Sequence, residues 1–180
     1  MKYLMFRIND KFTLVIMLGI IVLLSIYTSQ ELHADTNRER DPAFLSFGLG
    51  KYDFNRKKET GAELRVEYRS EKQVSVFKPF LAVAATNTSQ GFVGAGVLLD
   101  FFVARRFVIT PSFAPHYYWG GNDKLDLGHW VEFRSQIEFA YRFDNRSRLG
   151  AAISHYSNAS LGDTNPGTET GTIYFSVPIN

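Results

Sequence analysis

His155 and Ser157 stand two positions apart at the end of the run Leu149-Gly150-Ala151-Ala152-Ile153-Ser154-His155-Tyr156-Ser157. In an extended strand the odd positions share one face, so Leu149, Ala151, Ile153, His155 and Ser157 line up. An apolar stripe therefore finishes in an imidazole and a hydroxyl. Held side by side on a rigid strand, these are a general base and a nucleophile, two of the three parts of a serine-hydrolase triad. A polar pair at a strand end has the same spacing, so the spacing alone does not decide between the two. The elements that must position the pair carry the decision.

Those elements read as strands. Ala62-Glu63-Leu64-Arg65-Val66-Glu67-Tyr68-Arg69 puts Ala, Leu, Val and Tyr on one face and alternating acids and bases on the other. Residues 131–143 repeat the pattern: Val131, Phe133, Ile137, Phe139, Tyr141 and Phe143 share a face with Ser135. Glu132, Arg134, Gln136, Glu138 and Arg142 oppose them with Ala140. Eight candidate strands follow, at 44–53, 62–69, 76–86, 91–103, 107–119, 130–143, 148–157 and 170–179, separated by turn-rich segments. Their lengths and spacing predict an all-β fold, an eight-stranded antiparallel up-and-down barrel.

A soluble barrel would turn the apolar faces inward, whereas a membrane barrel turns them to lipid and keeps charges in the lumen. Mixed-sign rows such as Glu63, Arg65, Glu67 and Arg69 can pair across a lumen, and the opposite faces carry large Phe, Leu and Tyr. These favour the transmembrane barrel over a soluble lipid carrier. The N-terminus agrees: Lys2, Arg7 and Lys11 precede an apolar run at 12–27, and a polar stretch then ends in Ala34. The run is shorter than the ~20 residues of a bilayer-spanning helix. Residues 1–34 therefore read as a signal peptide cleaved after Ala34, and 35–180 as an outer-membrane barrel domain. The terminal Asn180 departs from the aromatic residue that ends many such barrels. The balance of 20 Lys+Arg against 18 Asp+Glu gives no case for nucleic acid, and the absence of cysteine removes disulfides and thiolate metal sites.

With both termini periplasmic, strand 148–157 runs outward and ends near the outer leaflet. His155 and Ser157 share the lipid-facing parity of Leu149, Ala151 and Ile153. On the last strand Gly171, Ile173, Phe175, Val177 and Ile179 face lipid, and extending that register backward gives Glu169 the same direction. Hydroxyl, imidazole and carboxylate thus fall on adjacent strands, on the outer wall, at one height. Polar groups there call for a substrate in the leaflet.

The segment His155-Tyr156-Ser157-Asn158-Ala159, Glu169 after it, and the final Tyr174-Phe175-Ser176-Val177-Pro178 resemble the PagL-type lipid A 3-O-deacylases. The resemblance is most specific over the last forty residues or so. It implies an eight-stranded outer-membrane barrel that hydrolyses the ester holding the 3-hydroxyacyl chain at position 3 of lipid A. It also implies Ser157 as nucleophile, His155 as general base and Glu169 as the carboxylate that orients the imidazole. Asn158 and Asn165 match positions near the oxyanion, by side chain or backbone N–H. No metal or cofactor is implied, the partner is lipopolysaccharide in the outer leaflet, and a homodimer is allowed. The competing reading is a non-catalytic structural or adhesin-like barrel.

Other signals read as structural. His116-Tyr117-Tyr118-Trp119 and His129-Trp130 suit an interfacial aromatic girdle. Gly94-Ala95-Gly96 lies in a strand pattern with no helix after it, unlike a phosphate-binding loop. Asn122 to Asp126 and Arg38-Glu39-Arg40-Asp41 read as solvated segments, and Asp100 as a lumen-pairing group.

Overall fold

The computed structural model describes residues 41–179. The expected signal peptide and its boundary lie outside them. Nine strands occur among the described residues: β1 (Ala43–Tyr52), β2 (Gly61–Arg69), β3 (Lys78–Thr86), β4 (Gly91–Leu98), β5 (Phe101–Phe102), β6 (Phe107–Trp119), β7 (Val131–Arg142), β8 (Arg148–Ser157) and β9 (Thr168–Ile179). All pairings are antiparallel, β1 closes on β9, and β4 and β5 both pair with β6. The result is a closed barrel of eight staves, the fourth made of β4 and β5 in succession.

The predicted strand 91–103 is interrupted at Leu99-Asp100 for an identifiable reason. Leu99 N–H donates to Pro111 O at 3.1 Å. Pro111 has no N–H to return, so the ladder loses a bond there without changing register. The expected strand 76–86 starts two residues late, because an isolated Val74–Phe77 bridge closes a tight turn with Ser75 at φ 59°. Gly94 and Gly96 serve the close approach of β4 to β6. A Cβ on Gly96 would lie 2.1 Å from Phe113 O, and one on Gly94 would lie 2.5 Å from Pro115 O.

The two faces of each strand sort as a membrane barrel requires. Leu64 is 66% exposed while its neighbour Arg65 is 1% exposed. Leu49, Leu81, Phe139, Ile153, Ile173 and Phe175 all face outward in the same way. An eight-stranded barrel has an interior only wide enough for side chains, and here they fill it. Arg65 donates to Gln136 Oε1 (3.1 Å), Tyr174 Oη (3.0 Å) and Tyr156 Oη (2.9 Å), and pairs with Glu63. Glu67 accepts from Arg134 at 2.7 Å and Arg69 at 3.0 Å, and Arg69 reaches on to Glu138 at 2.7 Å. Above this network Tyr52, Phe92, Tyr118, Leu125, Leu127 and Tyr156 form an apolar plug, with Phe92 and Tyr156 stacked at 4.5 Å.

At the end where β1 begins and β9 stops, Asp100 accepts from Arg148 (2.9 Å), Lys78 (2.9 Å) and Thr110 (2.7 Å), as the lumen-pairing expectation requires. Asp41, expected in a solvated segment, instead joins this cluster. It pairs with Arg148 and stands 3.6 Å from Lys78 Nζ. Two buried bases, Arg148 on β8 and Lys78 on β3, leave a carboxylate there worth more paired than hydrated.

The girdle expectation divides by parity. Tyr117 and Trp119 stack at 6.0 Å on the outer surface, near Trp130. His116 and Tyr118 turn inward and are buried. Aromatic type marked the interface, but the alternation of the strand chose which of these side chains reach it.

Candidate active site

The site lies on the outer wall, at the end of the barrel opposite the described chain termini. Register brings its residues into rows. His155 on β8 is the direct cross-strand partner of Glu169 on β9 and of Ser135 on β7, while Ser157 is opposite Phe133. β9 begins at Thr168, two residues earlier than expected, so Glu169 sits inside the ladder. Its orientation is thereby fixed by pairing with β8.

His155 Nδ1 lies 3.1 Å from Glu169 Oε1. The imidazole has outward parity yet is only 6% exposed. Gly167, at φ 60°, packs over it so tightly that a Cβ there would come within 3.3 Å of His155 Cε1. Only glycine meets both that backbone angle and that contact without strain. Two residues on, Ser157 Oγ accepts from Asn165 Nδ2 at 3.0 Å and from the backbone N–H of Ala159 at 3.2 Å. The Asn165 amide is oriented by its other end, because Oδ1 accepts the Asn158 N–H at 3.2 Å.

Asn158 is wholly buried and holds the loop. Its Nδ2 donates to Leu127 O (2.9 Å) and Thr164 O (2.7 Å), and its Oδ1 accepts Ser160 N–H at 2.9 Å. Those bonds tie residues 158–167 to the loop before β7. The chain after Ser157 passes through Ala159 at φ 52° and Ser160 at φ 65°. Two successive non-glycine residues in the left-handed region store strain beside this candidate site. Here the strained turn is what aims the Ala159 N–H at the serine oxygen.

The loop after β1 folds against the carboxylate. Asp53, wholly buried, accepts Glu59 N–H (2.7 Å) and Thr168 Oγ1–H (3.2 Å) on its side chain, and Lys57 N–H on its carbonyl at 3.2 Å. Phe54 N–H then donates to Glu169 O at 3.3 Å, and Arg56 Nε stands 3.5 Å from Glu169 Oε2. The carboxylate is thus held between an imidazole and a guanidinium.

Among known proteins, the family model for lipid A 3-O-deacylase (PagL) matches residues 63–178. The chain belongs to the PagL family. Lipid A deacylase PagL of Pseudomonas aeruginosa is 33% identical over 54 residues, which cover 30% of this chain and 31% of that protein. The alignment thus spans about a third of the curated relative. The crystal structure of the outer membrane enzyme PagL superposes with a TM-score of 0.61 at 18% identity, covering 76% of this chain and 99% of that one. Neisserial surface protein A matches at a TM-score of 0.50 and 12% identity, over 76% of this chain and 96% of its own. At these identities the structural matches speak for the fold alone. This PagL-family chain is an outer-membrane β-barrel.

Every residue expected at the site from sequence gathers in this one place: Ser157, His155 and Glu169 on the wall, Asn165 against the serine, and Asn158 beneath the loop. Several contributors escaped the sequence reading. By sequence Asp53 reads only as a strand end and Arg56 as part of a turn, since a loop carries no period that reveals what it folds onto. The Ala159 N–H leaves no trace in residue type. Ser135 was visible as the one small polar residue on an otherwise apolar face, and that irregularity marks the position opposite His155.

Proposed function

We propose that this protein is an outer-membrane serine esterase that removes the 3-O-linked 3-hydroxyacyl chain from lipid A. Ser157 is the nucleophile, His155 the general base and Glu169 the carboxylate that orients the imidazole. The observation that carries the reading is the His155 Nδ1 to Glu169 Oε1 contact of 3.1 Å on the lipid-facing wall, two residues from a serine that receives two N–H donors. A lumenal pair would serve the barrel's own stability. On the outer wall at the leaflet boundary, the groups that can profit from it belong to a lipid.

The chemistry follows in two halves. Ser157 Oγ attacks the ester carbonyl while its proton passes to His155 Nε2, and Glu169 stabilises the imidazolium that forms. The tetrahedral oxyanion is met by Asn165 Nδ2–H and the Ala159 N–H. Asn158 contributes by orienting Asn165 and bracing the loop. One well-aimed donor of this kind is worth about 3–4 kcal/mol of barrier. The intermediate collapses, the imidazolium returns its proton to the sugar 3-oxygen, and the acyl group stays on Ser157. Water, deprotonated by His155, then releases a 3-hydroxy fatty acid and restores the serine. The acyl chain lies down the wall over Ile153 and Phe175, both exposed.

Mass spectrometry of lipid A from cells with and without the protein tests this. The expected result is loss of one hydroxyacyl chain, absent when Ser157→Ala is expressed as a heat-modifiable barrel in the outer membrane. Unchanged lipid A in the presence of the folded wild-type chain would favour the structural barrel instead.

A further inference from the structure

We infer that Lys51, Lys57 and Lys58 form a cationic rim on the β1 side of the site that binds a phosphate of the lipid A headgroup; the inference rests on the deacylase reading above. Lys51 is exposed and has the outward parity of Leu49 and Phe47 on β1. It is a cation on a wall otherwise given to lipid. Such a residue is tolerated near the interface, where the long stem runs along the wall and the ammonium reaches the headgroups. Its cross-strand partner is Gly171, two residues from Glu169 on the same face. Gly171 leaves the wall open beside Lys51, since a Cβ there would meet nothing closer than Phe54 at 3.8 Å.

The other two lysines are carried by a loop whose backbone is fixed. Asp53 binds Glu59 N–H and Thr168 Oγ1–H, and Phe54 N–H is bonded to Glu169 O. Lys57, at φ 56°, donates its own N–H to Asp53 O at 3.2 Å. The loop cannot swing its charges away without breaking these bonds. Its acid, Glu59, is turned from the rim: Oε2 accepts from Gln90 at 3.0 Å and Oε1 from Asn122. Among the described residues, no carboxylate lies within ion-pair distance of Lys51, Lys57 or Lys58. Arg56, on the same loop as Lys57 and Lys58, stands 3.5 Å from the Glu169 carboxylate. The loop across the barrel, between β6 and β7, carries Asp123, Lys124 and Asp126 and gives no matching excess of positive charge.

Lipid A places phosphate on the glucosamine disaccharide that bears the acyl esters. An acyl chain lying down the wall from Ser157 leaves its sugar at the rim. Two strand spacings, about 10 Å, separate β8 from β1, which is within reach of a phosphorylated disaccharide. Lysines are point-charge phosphate ligands. The rim would therefore fix the headgroup on one side while the acyl chain threads the catalytic groups on the other.

The test is binding to the Ser157→Ala barrel in neutral detergent, so that no turnover intervenes. An amide-linked lipid A analogue on the unmutated chain repeats the comparison without that substitution. Bisphosphorylated lipid A should bind more tightly than phosphatase-treated lipid A. K51Q, K57Q and K58Q should each erode that preference by roughly fivefold, and the triple variant by on the order of 100-fold. In the active chain the same substitutions should raise KM for the phosphorylated substrate and leave kcat in place. Three results overturn the proposal: a preference untouched in the triple variant, an equal loss of affinity for phosphatidylglycerol micelles, or inorganic phosphate competing as well as the intact headgroup. Should the lysines control binding while no acyl chain is ever released, the rim stands and the esterase reading falls. Release of acyl chain with a KM indifferent to phosphate has the opposite meaning.

Discussion

Two histidines on this barrel occupy similar positions, near the same end of a strand, and serve opposite ends. His116 points into the lumen, with Nδ1 3.1 Å from the Ala114 carbonyl of its own strand and the ring edge-on to Phe92 and Tyr156. His155 points out, with Nδ1 against the Glu169 carboxylate. The difference is one of parity. The lumen pairs Glu63 with Arg65 and Glu67 with Arg134 and Arg69, and such buried networks set register and uniqueness more than reactivity. The wall pairs one His with one Glu beside a half-buried serine, which under the proposed function meets a lipid ester. Residue type does not separate structural from chemical polar groups here; the face of the strand does.

The strongest way to break that comparison is to exchange the two histidines' fates. Ser157→Ala or His155→Ala should lower lipid A deacylation by about 10⁴-fold or more, as loss of a triad member does elsewhere. Heat-modifiable migration of the barrel should be unaffected. His116→Phe should leave the turnover number of the folded protein close to wild type. Equal loss of activity from the inward and outward variants would mean that the wall residues act only through the fold.

Next comes the lumen's own vulnerability. Glu67→Ala strips Arg134 and Arg69 of a shared acceptor inside the barrel. Removing one member of a buried ion pair costs about 3–5 kcal/mol. Urea unfolding in detergent or liposomes should report that loss, while kcat of the fraction that remains folded should hold. A stable Glu67→Ala barrel would mean that water reaches the guanidinium groups through the plug.

A third substitution sharpens the reading of the wall. Asn165→Ala removes the Nδ2 donor from Ser157 and the Oδ1 acceptor from the Asn158 N–H. The expected loss is about 10²–10³ in kcat with KM little changed, the size of one oxyanion donor. A change confined to KM would reassign Asn165 to substrate binding.

How far these distinctions could be read beforehand follows from which residues obey a period. Glu63, Arg65, Glu67 and Arg69 alternate strictly, so their lumenal direction and the inverted barrel were legible from the chain. The outward parity of His155 and Ser157 came from the same rule, and Glu169 needed only two residues of extrapolated register. The interruption of the strand opposite Pro111 was hidden, because the proline that causes it lies on another stave. The loop after β1 was hidden for a related reason: nothing in Asp53-Phe54-Asn55-Arg56 states that it closes over Glu169. The pairing of Asp41 was hidden as well, because its partners, Arg148 and Lys78, are far away along the chain. Alternation reports the direction of a side chain, and it is silent about what the end of a strand folds onto.

The smallest expected effect tests the strained turn that follows Ser157. Ala159 and Ser160 both hold left-handed backbone angles immediately after the serine, a conformation costing a residue with a Cβ about 1–2 kcal/mol. Ser160→Gly relieves that cost but gives the unfolded chain about 0.4–1 kcal/mol of extra freedom. The net change in stability should be a gain of between about 0 and about 1.6 kcal/mol. If the strain serves to aim the Ala159 N–H at Ser157 Oγ, the relaxed turn should hold that aim less firmly, and kcat should fall by a few-fold even as stability rises. Opposite movement of the two quantities is the signature of strain spent on positioning. A parallel rise in both would mean the turn is merely awkward, and that Asn165 alone meets the developing charge.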